Sequence, residues 1–240
     1  MLYIISLGLD SKDLSIKARE AGDRCDVLYL ENYTSLGPSL EDLSRLFKKE
    51  IKIADRQRLE DNSKEFLEYA KEKDVGLLVY GNALNATTHT SLVLEARKLN
   101  VDVKIIHGIS VFDAVSETGL SLYNFGKIGT IPIDHDKLES AYQVYEDNMK
   151  LGLHTLYLLE INFKESLSIS NALKHLIKKG LDKDNICVGC ARLGTSNKKI
   201  IAGTVEEVMN VDFGETPFCL IIPGNLHFHE EEYLNSLTKV

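Results

Sequence analysis

The fold is decided by the stretch Leu78-Val79-Tyr80-Gly81-Asn82-Ala83-Leu84-Asn85-Ala86-Thr87-Thr88-His89. In this stretch, an apolar strand is followed by a loop of small residues and then directly by a helix. A glycine at the strand end lets the backbone turn sharply, and Thr87 or Thr88 is placed to cap the following helix. The unpaired N–H groups of that helix start face the crevice at the carboxyl end of the strand. The junction therefore predicts a ligand site on a sheet of parallel strands.

Outward from this stretch, short apolar runs alternate with segments of helical periodicity. One helix face is formed by Leu14, Ala18, Ala21 and Cys25, which are spaced four, three and four residues apart. Strands are predicted at residues 2–7, 27–31, 51–54, 76–80 and 101–106, with helices between them. Because parallel strands need long crossover connections, this half of the chain predicts a parallel α/β domain.

The alternation of apolar strands and helices changes near Gly126, where a strand that contains glycines is followed by a polar helix. We place the domain boundary there, between residues 1–125 and residues 126–240. The link Thr195-Ser196-Asn197 is too short for a helical crossover, so its flanking strands are predicted to be antiparallel. The second domain is therefore predicted to be α+β with a mixed sheet, and the cleft between the domains is the expected ligand site.

Composition limits the possible functions. The 240 residues are 44% hydrophobic and 27% charged, which is typical of a globular protein with a buried core. A net charge of −8 argues against a nucleic-acid partner. The first apolar run ends at Gly8 with no basic residues before it, and no later run approaches membrane-spanning length, so neither a signal peptide nor a membrane is expected. Four scattered cysteines suit a reducing compartment, so we expect a cytoplasmic protein.

Two motifs have the residue types and spacing of redox or metal-binding sites. Cys187 and Cys190 have redox or zinc spacing, but residues three apart on a strand point to opposite faces, so buried thiols are the better interpretation. His227 and His229 precede an acidic run and could bind a metal, yet an acidic helix start explains those carboxylates, and we predict no metal. The chain contains no G-x-S-x-G, Walker A or G-x-G-x-x-G sequence, which argues against hydrolase and dinucleotide-binding interpretations.

The loop at residues 107–111 reinforces the ligand-site prediction. Ser110 is a suitable N-cap for the helix that follows it. This loop and residues 78–88 follow strands that are successive in the chain, so a parallel sheet would put both loops at one edge. They are expected to hold one ligand together.

The residue identities in several stretches are more specific than their pattern of apolar and polar residues. The loop at residues 81–89 resembles the Gly-Asp-Pro-Leu-x-Ala-Thr-Thr-His segment of the diphthine synthases, which belong to the tetrapyrrole-methylase-like superfamily of S-adenosylmethionine-dependent methyltransferases. Further similar stretches occur in the same order along nearly the whole chain, at residues 30–35, 54–56, 106–111, 118–120, 123–127, 152–156, 191–192, 212–214 and 223–227. The chain is therefore similar to this family throughout its length.

This resemblance implies two α/β domains, a homodimer, and S-adenosyl-L-methionine bound between the domains. It implies methylation of the amino group on the modified histidine of translation elongation factor 2, a step of diphthamide biosynthesis. The implied cofactor-binding positions are Leu9, Asn82, Asn85, Ser110 and Val111 in the first domain and Leu159, Leu193 and Phe218 in the second.

The chain departs from the family pattern at five positions. Asn82 stands where the family has aspartate, Ala83 and Ile109 replace prolines, Gly108 replaces another small residue, and Phe218 replaces a frequent histidine. An amide keeps an acceptor but loses the charge. If that charge contacts the cofactor, Asn82→Asp is expected to preserve or tighten binding. A weakly active or non-catalytic ligand-binding paralogue is the alternative.

The methyl donor is already activated in this reaction class, so no dedicated base is obligatory. Glu31, Tyr33 and His107 are the titratable residues nearest the expected cleft. Each is also explained as a structural residue, and we assign no catalytic residue. A tetrapyrrole methylase would share the fold but lacks the Tyr-Thr-Ser and Ala-Thr-Thr-His wording.

Overall fold

The computed structural model describes residues 1–34, 36–161 and 165–237. The chain divides into two compact units, Met1–Asp113 and Ala114–Val240. The first is a parallel α/β unit and the second contains a mixed sheet, as the sequence predicted.

The first unit is built on a five-stranded parallel sheet in the order β3-β2-β4-β1-β5. Its strands are β1 (Leu2–Ser6), β2 (Val27–Glu31), β3 (Ile51–Ala54), β4 (Val75–Val79) and β5 (Val103–Ile106). Every residue of β4 is buried, as is typical of a central strand covered on both faces. The polar loops described below follow the carboxyl ends of these strands.

The helices of this unit are α1 (Ile16–Arg24), α2 (Leu40–Phe47), α3 (Ser63–Glu72), α4 (His89–Lys98) and α5 (Val111–Ala114), the last ending at the division between the units. Ser39 caps α2 by accepting a hydrogen bond from the Asp42 N–H. Thr88 is the N-cap residue of α4, as predicted, but its side chain makes no capping hydrogen bond, because its hydroxyl donates to Glu60. The Thr87 hydroxyl donates to the Ala83 carbonyl and accepts from the His89 N–H at 3.5 Å.

The second unit contains a five-stranded sheet in the order β6-β7-β10-β8-β9. Its strands are β6 (Gly129–Ile131), β7 (Thr155–Leu159), β8 (Ile186–Ala191), β9 (Lys199–Thr204) and β10 (Phe218–Ile222). Strands β6 and β7 are parallel, whereas β10 is antiparallel to both β7 and β8. Strands β8 and β9 form the antiparallel pair predicted from the short link.

The helices of the second unit are α6 (Glu139–Lys150), α7 (Ile169–Lys179), α8 (Val205–Met209) and α9 (Phe228–Ser236). Within the described ranges, no helix is both long and apolar enough to cross a membrane. The sequence predicts one helix over residues 110–120, but α5 ends at Ala114 and a 3-10 turn follows at Val115–Thr118.

Residues 114–125, which the sequence-based boundary assigned to the first domain, contact the second unit. The Ser121 N–H and the Asn124 side chain donate to Glu230. The His154 N–H donates to the Asn124 carbonyl at 2.8 Å. These bonds place the segment with the second unit, a relationship that local sequence patterns do not carry.

Candidate functional site

The ends of three strands meet in the first unit. The N–H groups of Gly8 and Gly81 each donate to the other residue's carbonyl, at 3.1 and 2.8 Å. Both glycines have positive φ angles, 79° and 66°, which suit glycine at these turns. A Cβ atom at Gly108 would lie 2.9 Å from the Ser6 Cβ and 3.1 Å from the Gly81 carbonyl oxygen. The prediction that the loops after β4 and β5 lie together is confirmed, and the loop after β1 lies with them.

Two asparagine side chains join the loop after β4 to the loop after β5. Asn82 Nδ2 donates to the Gly108 carbonyl at 3.1 Å, and Asn85 Nδ2 donates to Ser110 Oγ at 3.0 Å. Ser110 is buried, and its hydroxyl donates to Asp113 Oδ2 at 3.0 Å. The structure therefore brings together three of the residues that the sequence analysis singled out.

Leu9 and Val111, the other two predicted positions of this unit, lie in the same group of loops. Leu9 follows Gly8 directly, and its N–H donates to Asp13 Oδ2 at 3.1 Å. Val111 is the first residue of α5. Both side chains are half-buried, so each retains surface that a ligand can contact.

Ala83 is fixed by side chains on both sides of its backbone. Its N–H donates to Ser6 Oγ at 2.9 Å, and its carbonyl accepts from Thr87 Oγ1 at 2.6 Å and from His89 Nδ1 at 2.9 Å. Because a carbonyl only accepts, Nδ1 of His89 carries the proton and Nε2 of the neutral ring is an acceptor. This role of His89 was not predicted, although His89 belongs to the Ala-Thr-Thr-His motif that carries the family resemblance.

Glu31 organises the loop after β2. Its buried carboxylate accepts from the backbone N–H groups of Tyr33 and Thr34, at 2.5 and 2.7 Å, and from the Thr34 hydroxyl. Ser35, the last residue of this motif, lies outside the described residues. The Glu31 carboxylate is therefore a structural acceptor for its own loop and not a candidate base.

A polar and aromatic cluster surrounds Tyr33. The Arg56 guanidinium lies 5.2 Å from the Tyr33 ring centroid, and the His89 ring centroid lies at 6.4 Å. Nearby, the Thr88 hydroxyl donates to Glu60 Oε1 at 2.8 Å. Burial raises the pKa of Tyr33 to about 12, so it stays a neutral phenol near neutral pH. Arg56 and Glu60 were not among the predicted site residues, because their distance in sequence hides this grouping.

The predicted positions of the second unit lie at one end of three adjacent strands of its sheet, β7, β10 and β8. Because β10 runs antiparallel to β7 and β8, Phe218 at its start lies beside the ends of both neighbours. Leu159 is the last residue of β7, and Leu193 follows the end of β8. Leu159 and Leu193 are buried, and Phe218 is half-buried. Within this unit, the three side chains form an apolar group at that end of the strands.

The cysteines of the C-x-x-C motif are both buried in β8, which confirms their interpretation as buried thiols. Burial raises the pKa of Cys187 to about 12, so its thiol is largely uncharged near neutral pH. Cys190 lies opposite Cys219 across the β8–β10 pair. In the part of the chain that the structure describes, no three His, Cys, Asp or Glu side chains are grouped to hold a metal ion.

Comparison with known proteins gives consistent results. Residues 1–209 match the family model of the tetrapyrrole (corrin/porphyrin) methylases. The chain is 36% identical to the diphthine methyl ester synthase of Dictyostelium discoideum, over 98% of this chain and 97% of the relative. It is also 36% identical to the diphthine synthase of Methanocaldococcus jannaschii, over 99% and 98%. A crystal structure of diphthine synthase matches with a TM-score of 0.94 and 35% identity, covering 100% of this chain and 96% of that one.

Proposed function

Because this chain belongs to the tetrapyrrole methylase family and, within it, to the diphthine synthases, we propose that it methylates the amino group on the modified histidine of translation elongation factor 2, with S-adenosyl-L-methionine as donor. At the level of reaction class and pathway, the chain is a methyltransferase of diphthamide biosynthesis. One observation carries the proposal: the loops at Gly8, Gly81 and Gly108 meet in a chain that matches diphthine synthases over nearly its whole length.

The first unit has features that fit the proposed cofactor. Two buried acceptors, Asn32 Oδ1 directly after β2 and His89 Nε2 at the first residue of α4, have no hydrogen-bond partner among the described residues. The cofactor carries donors in its ammonium group and ribose hydroxyls, which such acceptors can satisfy. The positions proposed to form the cofactor site are Leu9, Asn82, Asn85, Ser110 and Val111, with Leu159, Leu193 and Phe218 proposed in the second unit.

The sulfonium of the bound cofactor supplies an activated methyl group. The chain must therefore hold the acceptor amine in line with the donor, exclude water and accept the amine unprotonated. Glu31 is committed to its own loop, and Tyr33 is a neutral phenol, so neither supplies a base. We assign no catalytic residue, and we propose that catalysis rests on positioning.

The proposed acceptor is a protein side chain, so elongation factor 2 is the proposed partner. A cytoplasmic location and a homodimer accompany the proposal, because the family resemblance implies a dimer and two-fold assemblies are common. Sedimentation that gives a single species near the 26.9 kDa chain mass would contradict the dimer.

The alternative, a weakly active or non-catalytic paralogue, rested on Asn82 and Ala83. Both residues take part in hydrogen bonds that fix their loop. Such bonds are expected of any ordered loop, so they do not support the alternative, and no other observation favours it.

The proposal is tested by methyl transfer to purified elongation factor 2 that carries the unmethylated modified histidine. With S-adenosylmethionine present, intact-protein and peptide mass spectrometry should show methyl groups added at that histidine and at no other peptide. The matched control is elongation factor 2 with the same histidine unmodified, which should gain none. If the modified protein gains no methyl group while the enzyme is folded, the proposal is wrong.

The same experiment separates two products that the relatives' names distinguish. One relative is called a diphthine synthase and another a diphthine methyl ester synthase, and the chain is 36% identical to each. A methyl ester is removed by mild alkali, whereas methyl groups on nitrogen remain. Mass spectra before and after alkali therefore count the two kinds of methyl group separately.

A further inference from the structure

The side chain of Asn82 uses both ends of its amide within the protein. Oδ1 accepts from the Leu84 N–H at 3.2 Å, two residues along the chain, and Nδ2 donates to the Gly108 carbonyl at 3.1 Å. His107 Nδ1 lies 3.4 Å from the same nitrogen. An aspartate could accept from Leu84 but could not donate to Gly108. The bond between the two loops therefore depends on an amide.

The acceptor of this bond is a backbone group with little room to move. Gly108 packs so closely that an added Cβ would lie 3.2 Å from the Gly8 nitrogen and 3.1 Å from the Gly81 oxygen. The position of Gly108 is therefore linked to the ends of β1 and β4. A displacement of its carbonyl would disturb all three strand-end loops.

The donor side is equally fixed. Ala83, the next residue after Asn82, is fully buried, and its backbone is bonded by Ser6, Thr87 and His89. The Asn82 side chain thus begins from an immobile backbone. Its amide is oriented before any ligand arrives.

A second amide joins the same two loops in the same direction. Asn85 Nδ2 donates to Ser110 Oγ, and that hydroxyl donates in turn to Asp113. Asn82 and Asn85 therefore fix the loop after β5 to the loop after β4 at two points. Together these points set the spacing of the loops.

We propose that Asn82 is a positioning residue, whose amide holds the Gly108 carbonyl and thereby sets the two loops in the arrangement that binds cofactor. This role rests on the proposed function. It reverses the expectation that a carboxylate at this position would contact the cofactor's cationic group and tighten binding. In Asn82→Asp, a charged oxygen faces the Gly108 carbonyl oxygen, and the two repel each other.

The test compares calorimetric binding of S-adenosylhomocysteine by the wild type, Asn82→Asp and Asn82→Ala. Near pH 7.5, both variants should bind at least about tenfold more weakly than the wild type, because a bond that orients the site is lost. Asn100→Asp is the matched charge control, since this exposed residue lies at the far end of α4, and it should bind as the wild type does. Thermal melts check that each variant is folded.

A pH series separates positioning from a general loss of structure. Repulsion from the carbonyl raises the pKa of the new aspartate above its usual value of about 3.9, and once protonated it can donate to Gly108. The affinity of Asn82→Asp relative to the wild type should therefore recover as the pH falls towards about 5, whereas that of Asn82→Ala should not. The other ionisable side chains at these loops are His107, Asp13 and Asp113, and they are present in both proteins. Because the His107 ring faces the amide directly, the series is repeated with His107→Gln in the wild type and in Asn82→Asp.

The outcomes are distinct. If the wild type does not bind S-adenosylhomocysteine, the proposed function fails. If the wild type binds and Asn82→Asp binds equally well or more tightly near neutral pH, Asn82 is not a positioning residue. If Asn82→Asp binds weakly without recovery at lower pH, donation to Gly108 is not the cause.

Discussion

Glu31 in the first unit and Glu230 in the second are both buried carboxylates that accept backbone N–H groups, yet their partners lie at different distances along the chain. Glu31 accepts from Tyr33 and Thr34, two and three residues away. Glu230 accepts from Ser121, which is 109 residues away, as well as from the nearby His227 N–H. The first carboxylate shapes one loop, whereas the second joins distant segments.

Each hydrogen bond to the Glu230 carboxylate has a defined donor. His154 Nδ1 accepts from the Gly224 N–H at 2.9 Å, so the proton of its neutral ring is on Nε2, which donates to Glu230 at 3.2 Å. Asn124 Nδ2 donates to the same carboxylate, also at 3.2 Å. Although burial raises the pKa of Glu230, these hydrogen bonds outweigh it and hold the pKa at about 2.

The difference indicates what each residue stabilises. Loss of Glu31 affects donors that belong to one short loop, which can turn towards water. Loss of Glu230 leaves His154, a fully buried residue, and the Ser121 N–H without their partner. We therefore expect long-range carboxylate contacts to control the stability of the second unit and local contacts to control the shape of the site.

The largest effect is expected for Glu230→Ala. Removal of one partner from a buried, hydrogen-bonded charge network typically costs about 3–5 kcal/mol in the free energy of unfolding. Urea denaturation should show this loss. Glu231→Ala, the neighbouring exposed residue on α9, is the control and should change stability little. A loss below about 1 kcal/mol for Glu230→Ala would contradict the comparison.

The pH dependence of stability should follow the same carboxylate. The pKa of Glu230 is about 2 in the folded protein against an ordinary 4.5, so its contribution is present above about pH 4.5 and is lost as the pH falls towards 2. The pKa difference corresponds to about 3 kcal/mol. Denaturation series on the wild type and Glu230→Gln should show a shallower acid loss in the variant. Equal slopes would mean that another carboxylate is responsible.

A smaller effect is expected for Glu31→Gln. The amide keeps one acceptor for the backbone N–H groups of Tyr33 and Thr34 but loses the charge, which should cost about 1–2 kcal/mol. Hydrogen exchange should show lost protection at Thr34 and unchanged protection in β7 and β10. Loss of protection in the second unit would contradict the assignment of Glu31 to a local role.

The smallest effect is expected for Ser39→Ala, which removes a local contact at the surface. Ser39 Oγ accepts from the Asp42 N–H at 3.1 Å and caps α2, so its loss should cost about 0.5–1 kcal/mol. Thermal unfolding measures the change, and Ser39→Thr, which keeps the hydroxyl that also donates to Asp42 Oδ2, should retain most of the wild-type stability. A cost as large as that of Glu230→Ala would remove the distinction between local and long-range acceptors.

Local sequence patterns predicted a large part of the fold. Continuous apolar runs separated by helical periodicity gave the parallel sheet, and the short link at residues 195–197 gave the β8–β9 pair. The patterns that predicted both features involve residues close in sequence, although the parallel strands themselves pair with strands far along the chain. The meeting of the strand-end loops also followed, because parallel strands place their carboxyl ends at one edge.

Other features did not follow from local patterns. Thr88 has the residue type of a helix cap, but Glu60 competes for its hydroxyl. The family resemblance implied that Asn82 is a cofactor-binding position, but it did not indicate that the Asn82 amide donates to Gly108. In both cases the deciding partner is more than twenty residues away in sequence, and nothing in the local pattern identifies it.

The sequence by itself determined the succession of strands and helices, the positions of the loops that carry the site and the similarity to one enzyme family, because periodicity, turn residues and motif wording are local properties. Only the tertiary structure decided which polar groups bond to which. Burial makes an unpaired donor or acceptor costly, so each buried group takes the partner that the fold brings near. Glu230 joined to Ser121 and Asn82 joined to Gly108 are outcomes of that requirement.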